Sequence, residues 1–215
     1  NYLEETKDPR RPGHSLIENT IVIFASDNGA EVRAKTATGP VRSHKGSVYE
    51  GGHRIPFMAS WPAGGIAEGS TSSQLLGLND LYATLASILE QPLPESGAED
   101  SFSQLAAFRS EEIAPRPPLF PNDHQEASRK LADERAWVAV RSNGTPLPGQ
   151  WKLFLDHQFA FKGQLNPQEL YNLATDPMEQ KNLLDDPEAK PALEFLLRAA
   201  IRASGDAGRT RPKER

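Results

Sequence analysis

The sequence contains no cysteine. That excludes disulfides, thiolate metal sites and a cysteine nucleophile from this chain, and it leaves the redox compartment open. No apolar run approaches the roughly 18 residues needed to cross a bilayer, so no membrane span is expected. Charge of one sign is not concentrated either. The net charge is −5 over 215 residues with no clustered basic face, which does not point to nucleic acid as a partner. No internal repeat is apparent. What is present, at 37% hydrophobic residues, is enough apolar material for one full domain, or a domain with a small appendage.

Asn1 to Lys7 ("NYLEETK") reads as the last turns of a helix that began earlier, so the chain is expected to be the C-terminal portion of something longer. Asp8 to His14 is a proline-rich connection. Ile21 to Ala25 is apolar on both alternating faces, a pattern that suits a strand buried on both sides in a helix-covered parallel sheet. Val32 to Ser43 reads as a loop, and Ile55 to Trp61 as a second strand between Pro56 and Pro62. Leu75 to Leu78 is a short strand candidate. Asn79 or Asp80 then caps a helix with Leu81, Leu85, Ile88 and Leu89 on one face, closed by Pro92 and Pro94. Alternating strand and helix predicts an α/β layered fold. Pro92 to Arg135 is weakly patterned and expected to run over the surface. "AWVAVRS", "WKLFLD" and "QELYNLA" are three short strands, and Pro191 to Ala203 is a helix with Leu193, Leu196, Leu197 and Ala200 on one face.

The chemistry begins at "IVIFASDNGAE". In an α/β sheet, ligands gather at the carboxyl ends of strands, where Asp27 and Asn28 are expected. One carboxylate and one amide carbonyl suit a hard cation such as Ca²⁺ or Mg²⁺ better than Zn²⁺. Asp-Asn-Gly is equally an ordinary turn, because all three residues tolerate the left-handed conformation. The tripeptide alone does not decide. The second motif is "HKGSVYEGGHRIP". Lys45 beside Gly46 is placed to hold a tetrahedral oxyanion, or is merely a solvated loop lysine. Glu50 and Arg54 are read as a pair fixing the Gly51-Gly52 turn. His44 and His53 flank this segment as candidate pocket residues, His44 the stronger. His124 is a weak further candidate, and His14 and His157 read as structural or exposed. Asn143-Gly144-Thr145 fits a glycosylation sequon, followed by Pro146.

Together, "NTIVIFASDNG" and "KGSVYEGGHRIPFMASWP" resemble the second half of the type I sulfatases, within the alkaline phosphatase superfamily. "LNDLYATLASIL" is similar to a helix of that family, and "AVRSNGTPLPGQWKLFL" with "QELYNLATDPMEQKNL" to its C-terminal subdomain. The resemblance implies an α/β fold: part of a sulfatase- or alkaline-phosphatase-like layered sheet with a small C-terminal α+β subdomain. It places residues 1–135 in the catalytic α/β domain, 136–204 in an antiparallel sheet with a helix, and 205–215 in a flexible tail. By the same resemblance Asp27 and Asn28 are Ca²⁺ ligands and Lys45 contacts the sulfate ester; His44, read from its place beside Lys45, is a substrate-binding candidate or a surface histidine. In related phosphatases a zinc-binding histidine usually follows the aspartate. Asn28 stands there instead, favouring the calcium-dependent sulfatase branch.

Calcium takes about six to eight oxygens, of which Asp27 and Asn28 supply roughly three and a sulfate one or two. In the family the remaining carboxylate ligands and the nucleophile lie upstream. The nucleophile is a formylglycine, made from a Cys/Ser-x-Pro-x-Arg motif by a maturation enzyme. The only Ser-x-Pro here, Ser60-Trp61-Pro62, lacks the arginine. The resemblance therefore implies a sulfuric ester hydrolase acting on a sulfated small molecule or polysaccharide, with this chain inactive alone. A periplasmic or secreted setting is expected by analogy. Two other readings remain: a phosphoryl hydrolase of the same superfamily, and a non-catalytic relative that binds an anionic sugar.

Overall fold

A computed structural model describes residues 2–31, 39–122, 137–156 and 165–205. After a one-turn helix α1 (Tyr2–Glu5), β1 (Val22–Ala25) and β2 (Phe57–Ser60) form an antiparallel two-stranded ladder, with Phe24 opposite Met58 and Ala25 opposite Phe57. β-Branched and aromatic residues favour both strands, and Pro56 and Pro62 bracket β2, which is shorter than expected. The sequence pattern of β1 suggested burial on both faces of a parallel sheet. Among the described residues only one face is packed, and Val22, Phe24 and Met58 share the other, with Phe24 61% exposed. The described residues supply neither a parallel neighbour nor a cover for that face.

Leu75 to Leu78 joins no ladder. Helix α3 (Asp80–Ile88) follows, and its packing face differs from the leucine stripe. Asp80, Ala83 and Thr84 are buried, whereas Leu85 and Leu89 are exposed. The reason is polar. Ser101 Oγ accepts from the Ala83 amide at 2.9 Å, and Thr84 Oγ1 accepts from the Gln104 amide at 2.9 Å. These bonds dock the segment before α4 (Leu105–Phe108) against the small-residue face. Nor does Asp80 act as a simple cap. Its carboxylate takes a bidentate contact from the buried Arg116, Nε at 2.6 Å and a terminal nitrogen at 2.9 Å, and accepts from the amides of Gly77 and Phe102. Of the 92–135 stretch, residues 123–135 lie outside the described residues, and the rest is held inward at Ser101, Gln104 and Arg116 rather than only spread over the surface. Helix α3 ends where Glu90 turns left-handed and the Gln91 amide returns to the Ala86 carbonyl, ahead of the two prolines.

The second half contains the three expected strands, β3 (Trp137–Ser142), β4 (Trp151–Asp156) and β5 (Pro167–Asn172), antiparallel in that order. Helix α5 (Lys190–Gly205) covers one face of this sheet. Asp186 accepts from the Glu188 amide at the entry to the preceding turn. Central strand β4 is buried on both sides, which follows from its two alternating sets. Trp151, Leu153 and Leu155 meet Ala192, Leu196 and Ala200 of α5. Phe154 faces the opposite way, against Val48, Ala139 and Tyr171. Lys152 shares that second face, and it is fully buried. Val48 and Tyr49 thereby anchor the first half of the chain on the C-terminal sheet, with the rings of Tyr49 and Phe154 5.0 Å apart.

Candidate metal and anion site

Strand β1 delivers the Asp27-Asn28-Gly29 turn. The Ser26 amide still bonds Pro56, and its hydroxyl donates to the Asn28 carbonyl at 2.8 Å, closing the turn. Among the described residues neither the Asp27 carboxylate nor the Asn28 carboxamide has a side-chain hydrogen-bond partner. Asp27 is exposed and Asn28 half-buried. The Gly29 amide donates to the Gly52 carbonyl at 2.8 Å. A Cβ at Gly29 would sit 1.8 Å from the Gly51 carbonyl oxygen, and one at Gly52 1.9 Å from that of Ser47. Only glycine allows these backbones so close. The Gly51-Gly52 pair lies in the one-turn helix α2 (Glu50–His53).

The same junction holds Lys45. Its amide donates to the Ala30 carbonyl at 2.9 Å, so the lysine's backbone is tied one residue beyond the Asp-Asn-Gly turn. Its ammonium lies 3.1 Å from the Glu31 carboxylate, with both side chains substantially in water. Nδ1 of His44 is 2.9 Å from the Lys45 carbonyl oxygen, and a carbonyl only accepts. Nδ1 therefore carries the proton in that bond, leaving Nε2 able to accept. Asp27, Asn28, His44 and Lys45 are thus gathered around one backbone junction. His124, His157, most of the Val32–Ser43 loop and nearly all of the 205–215 tail lie outside the described residues. Asn143 donates its amide to the Ser73 carbonyl.

Behind α2 is a charged cluster that sequence reasoning did not find. Glu50 pairs with Arg54 as expected, at 3.9 Å, but its closer partners are Lys152 Nζ at 3.0 Å and Arg141 at 3.2 Å. Lys152 also donates to Glu179 at 2.9 Å, and the other Glu179 oxygen accepts from the Glu50 amide at 2.7 Å. Burial alone would raise the Glu50 carboxyl, but His53 contact and the Lys152 and Arg141 charges hold it below the usual carboxylate range. For Glu179 burial wins, and its carboxyl is raised despite Lys152. Burial likewise lowers His53. His53 Nε2 lies between the two charges, 3.3 Å from Lys152 Nζ and 3.5 Å from a Glu50 carboxylate oxygen. A cleft of about 400 Å³ adjoins the turn, lined in part by Asp27, His53, Asn79, Arg116, Phe120 and Arg141. Two atoms of its lining residues, His53 Nδ1 and Arg141 Nε, are buried without partners.

Two oxygen donors on a turn, a lysine tied to it and no thiolate define a site suited to a hard cation and an anionic group. Among the described residues no group of three or more His, Asp or Glu side chains gathers as a metal cage. A family model for sulfatases matches residues 14–91. The chain is 31% identical over 196 residues to an N-acetylgalactosamine-6-O-sulfatase of Bacteroides thetaiotaomicron, covering 85% of this chain and 36% of that protein. It is 32% identical over 206 residues to human arylsulfatase A, covering 84% of this chain and 38% of the relative. A solved structure from work on glycosaminoglycan metabolism by Bacteroides thetaiotaomicron superposes with a TM-score of 0.61 at 28% identity, over 90% of this chain and 39% of that one. The chain is thus similar to sulfatases over most of its own length. It spans little more than a third of the length of these curated relatives, at 36% and 38%.

Proposed function

We propose that this chain is the C-terminal part of a sulfuric ester hydrolase that cleaves sulfate esters of carbohydrate or aryl type. The observation that carries this reading is the bond from the Lys45 amide to the Ala30 carbonyl, which joins the lysine motif to the Asp-Asn-Gly motif. The relatives' names, an N-acetylgalactosamine-6-O-sulfatase and an arylsulfatase, support a sulfated sugar or aryl sulfate as substrate. Residues 1–135 belong to the catalytic domain in this reading, and 136–204 to the C-terminal subdomain. The setting is periplasmic or secreted.

The donor set fits calcium better than zinc. Asp27 and Asn28 offer oxygens with no competing side-chain partner among the described residues, and Asn28 stands where a zinc site calls for imidazole. Asp27 and Asn28 would hold the ion. When bound, it supplies positive charge to the sulfate oxygens. A formylglycine in the full-length protein would supply the nucleophile, and a separate maturation enzyme would generate it. Lys45 does its work by exchange of partners. Its ammonium leaves the exposed Glu31 carboxylate for the sulfate, where it offsets charge that develops as the alcohol departs. His44 stands next to Lys45, its Nε2 without a partner among the described residues, and would orient a substrate hydroxyl.

The test is sulfate release by the matured full-length protein, from an aryl sulfate and from 6-sulfated N-acetylgalactosamine, with and without chelator. Chelator-sensitive release from either supports the reading. Hydrolysis of an aryl phosphate in its place would move the protein to the phosphatase branch, and binding of a sulfated sugar without turnover would make it a non-catalytic relative.

A further inference from the structure

The ion cluster of Lys152, Glu179, Glu50 and Arg141 is costly to build. Lys152, Glu50 and Glu179 are all fully buried, and a buried charge persists only with close partners. Glu179 also adopts a left-handed φ of 54°, a conformation unusual for a residue with a side chain. That backbone sets one carboxylate oxygen on Lys152 and the other on the Glu50 amide. Strain and buried charge are thus spent on fixing one short element, α2, from residues far along the chain.

What α2 holds makes this more than a staple. The Gly52 carbonyl receives the Gly29 amide, and the Gly51 amide bonds the Arg42 carbonyl. Arg42 is in turn tied to the Glu179 carbonyl at 2.9 Å and stacked on Tyr49, 3.7 Å from the ring centre. The Asp27-Asn28 turn and the loop carrying Lys45 therefore both rest on α2, and the glycine contacts leave no slack.

Building on the site reading above, we propose that Lys152 and Glu179 are positioning residues for the calcium and sulfate site. They clamp Glu50, so that α2 fixes the Asp27-Asn28 turn relative to Lys45. Lys152 and Glu179 are fully buried and do not line the cleft beside Asp27. They act through two backbone hydrogen bonds made by α2, Gly29 to Gly52 and Gly51 to Arg42.

The test uses the full-length protein carrying Lys152→Met, Glu179→Gln, Leu196→Ala or Asp27→Ala. Calcium affinity is measured by calorimetry well below each variant's melting temperature, and backbone hydrogen exchange is followed over residues 26–31. Lys152→Met and Glu179→Gln should weaken calcium binding by about 10-fold or more, as loss of a supporting residue behind a metal ligand does, and should speed exchange at Gly29. Leu196→Ala lies on the α5 side of β4; it should lower the melting temperature and leave calcium affinity unchanged. If Lys152→Met does not fold, the near-isosteric Glu179→Gln carries the test. Unchanged calcium affinity and unchanged Gly29 exchange in Glu179→Gln would overturn the proposal. If Asp27→Ala itself keeps full calcium affinity, the metal assignment fails separately, and Gly29 exchange still decides whether the cluster positions the turn.

Discussion

Lys152 and Glu50 are 102 residues apart in sequence and 3.0 Å apart in space, with neither side chain exposed to water. This contact joins the central strand of the C-terminal sheet to the glycine helix beneath the candidate site. Several consequences can be measured.

Gly29→Ala should be poorly tolerated. Its Cβ would meet the Gly51 carbonyl oxygen at 1.8 Å, and both partners are backbone, so the turn must move. A stability loss of about 2–4 kcal/mol is expected in denaturant unfolding, with sulfate release lost more completely than the stability change explains. A variant with unchanged stability and turnover would mean that the junction is looser than the glycine contacts imply.

Lys45 and Glu31 should separate in their effects. If Lys45 meets the sulfate as proposed, Lys45→Ala should lower kcat/KM by about 10²-fold or more. Glu31→Gln removes only a water-exposed partner, and such pairs contribute at most about 1 kcal/mol to folding. Its melting temperature should hardly change, and its KM should fall, because Lys45 no longer has a competing carboxylate. A raised KM in Glu31→Gln would contradict the exchange of partners.

The pH dependence of stability follows from Glu50. Its folded carboxyl is held below the ordinary value of 4.5, so it contributes stability that is fully present above about pH 4.5 and lost as pH falls through the folded value. Lys152 on β4, Arg141 on β3, His53 on α2 and Arg54 just beyond it face it, with Glu179 opposite. The raised Glu179 carboxyl has the opposite sign, contributing below its unfolded value and losing that contribution as pH rises. Glu50→Gln should therefore lose less stability than the parent protein between about pH 5 and 3 in parallel denaturant titrations. An equal or greater loss in the variant would count against the Glu50 assignment.

Asp80 and Arg116 make a second buried pair, with 2.6 and 2.9 Å contacts, far from the Lys152 cluster in role. Removing one partner leaves an uncompensated charge, so Arg116→Met should cost about 3–5 kcal/mol in unfolding free energy. Arg116→Met combined with Asp80→Asn should recover part of that loss. No recovery would show that the backbone amides of Gly77 and Phe102 bonded to Asp80 matter more than the charge.

Much of this fold is legible in local patterns. Trp151, Leu153 and Leu155 alternate, and that set packs on α5, whose Leu196 and Ala200 were on the expected face. The Asp27-Asn28 and Lys45 motifs are each weak alone, and family resemblance joined them before any geometry did. Two kinds of feature could not be read. The exposed faces of β1 and α3 carry leucine and phenylalanine that look like core, because hydrophobic periodicity reports apolarity and not what covers it. Lys152 and Glu179 carry no local signal at all. A lysine within an alternating strand normally marks the solvent side, and only burial of both faces of β4 turns it inward.

The measurement closest to the central claim compares the full-length parent protein with Asp27→Ala for calcium-dependent sulfate release. Asp27 is exposed and has no side-chain hydrogen-bond partner among the described residues, so the variant should fold and melt like the parent. The account predicts chelator-sensitive turnover in the parent, with turnover abolished and calcium binding weakened in the variant. Full sulfate release without the Asp27 carboxylate would contradict it.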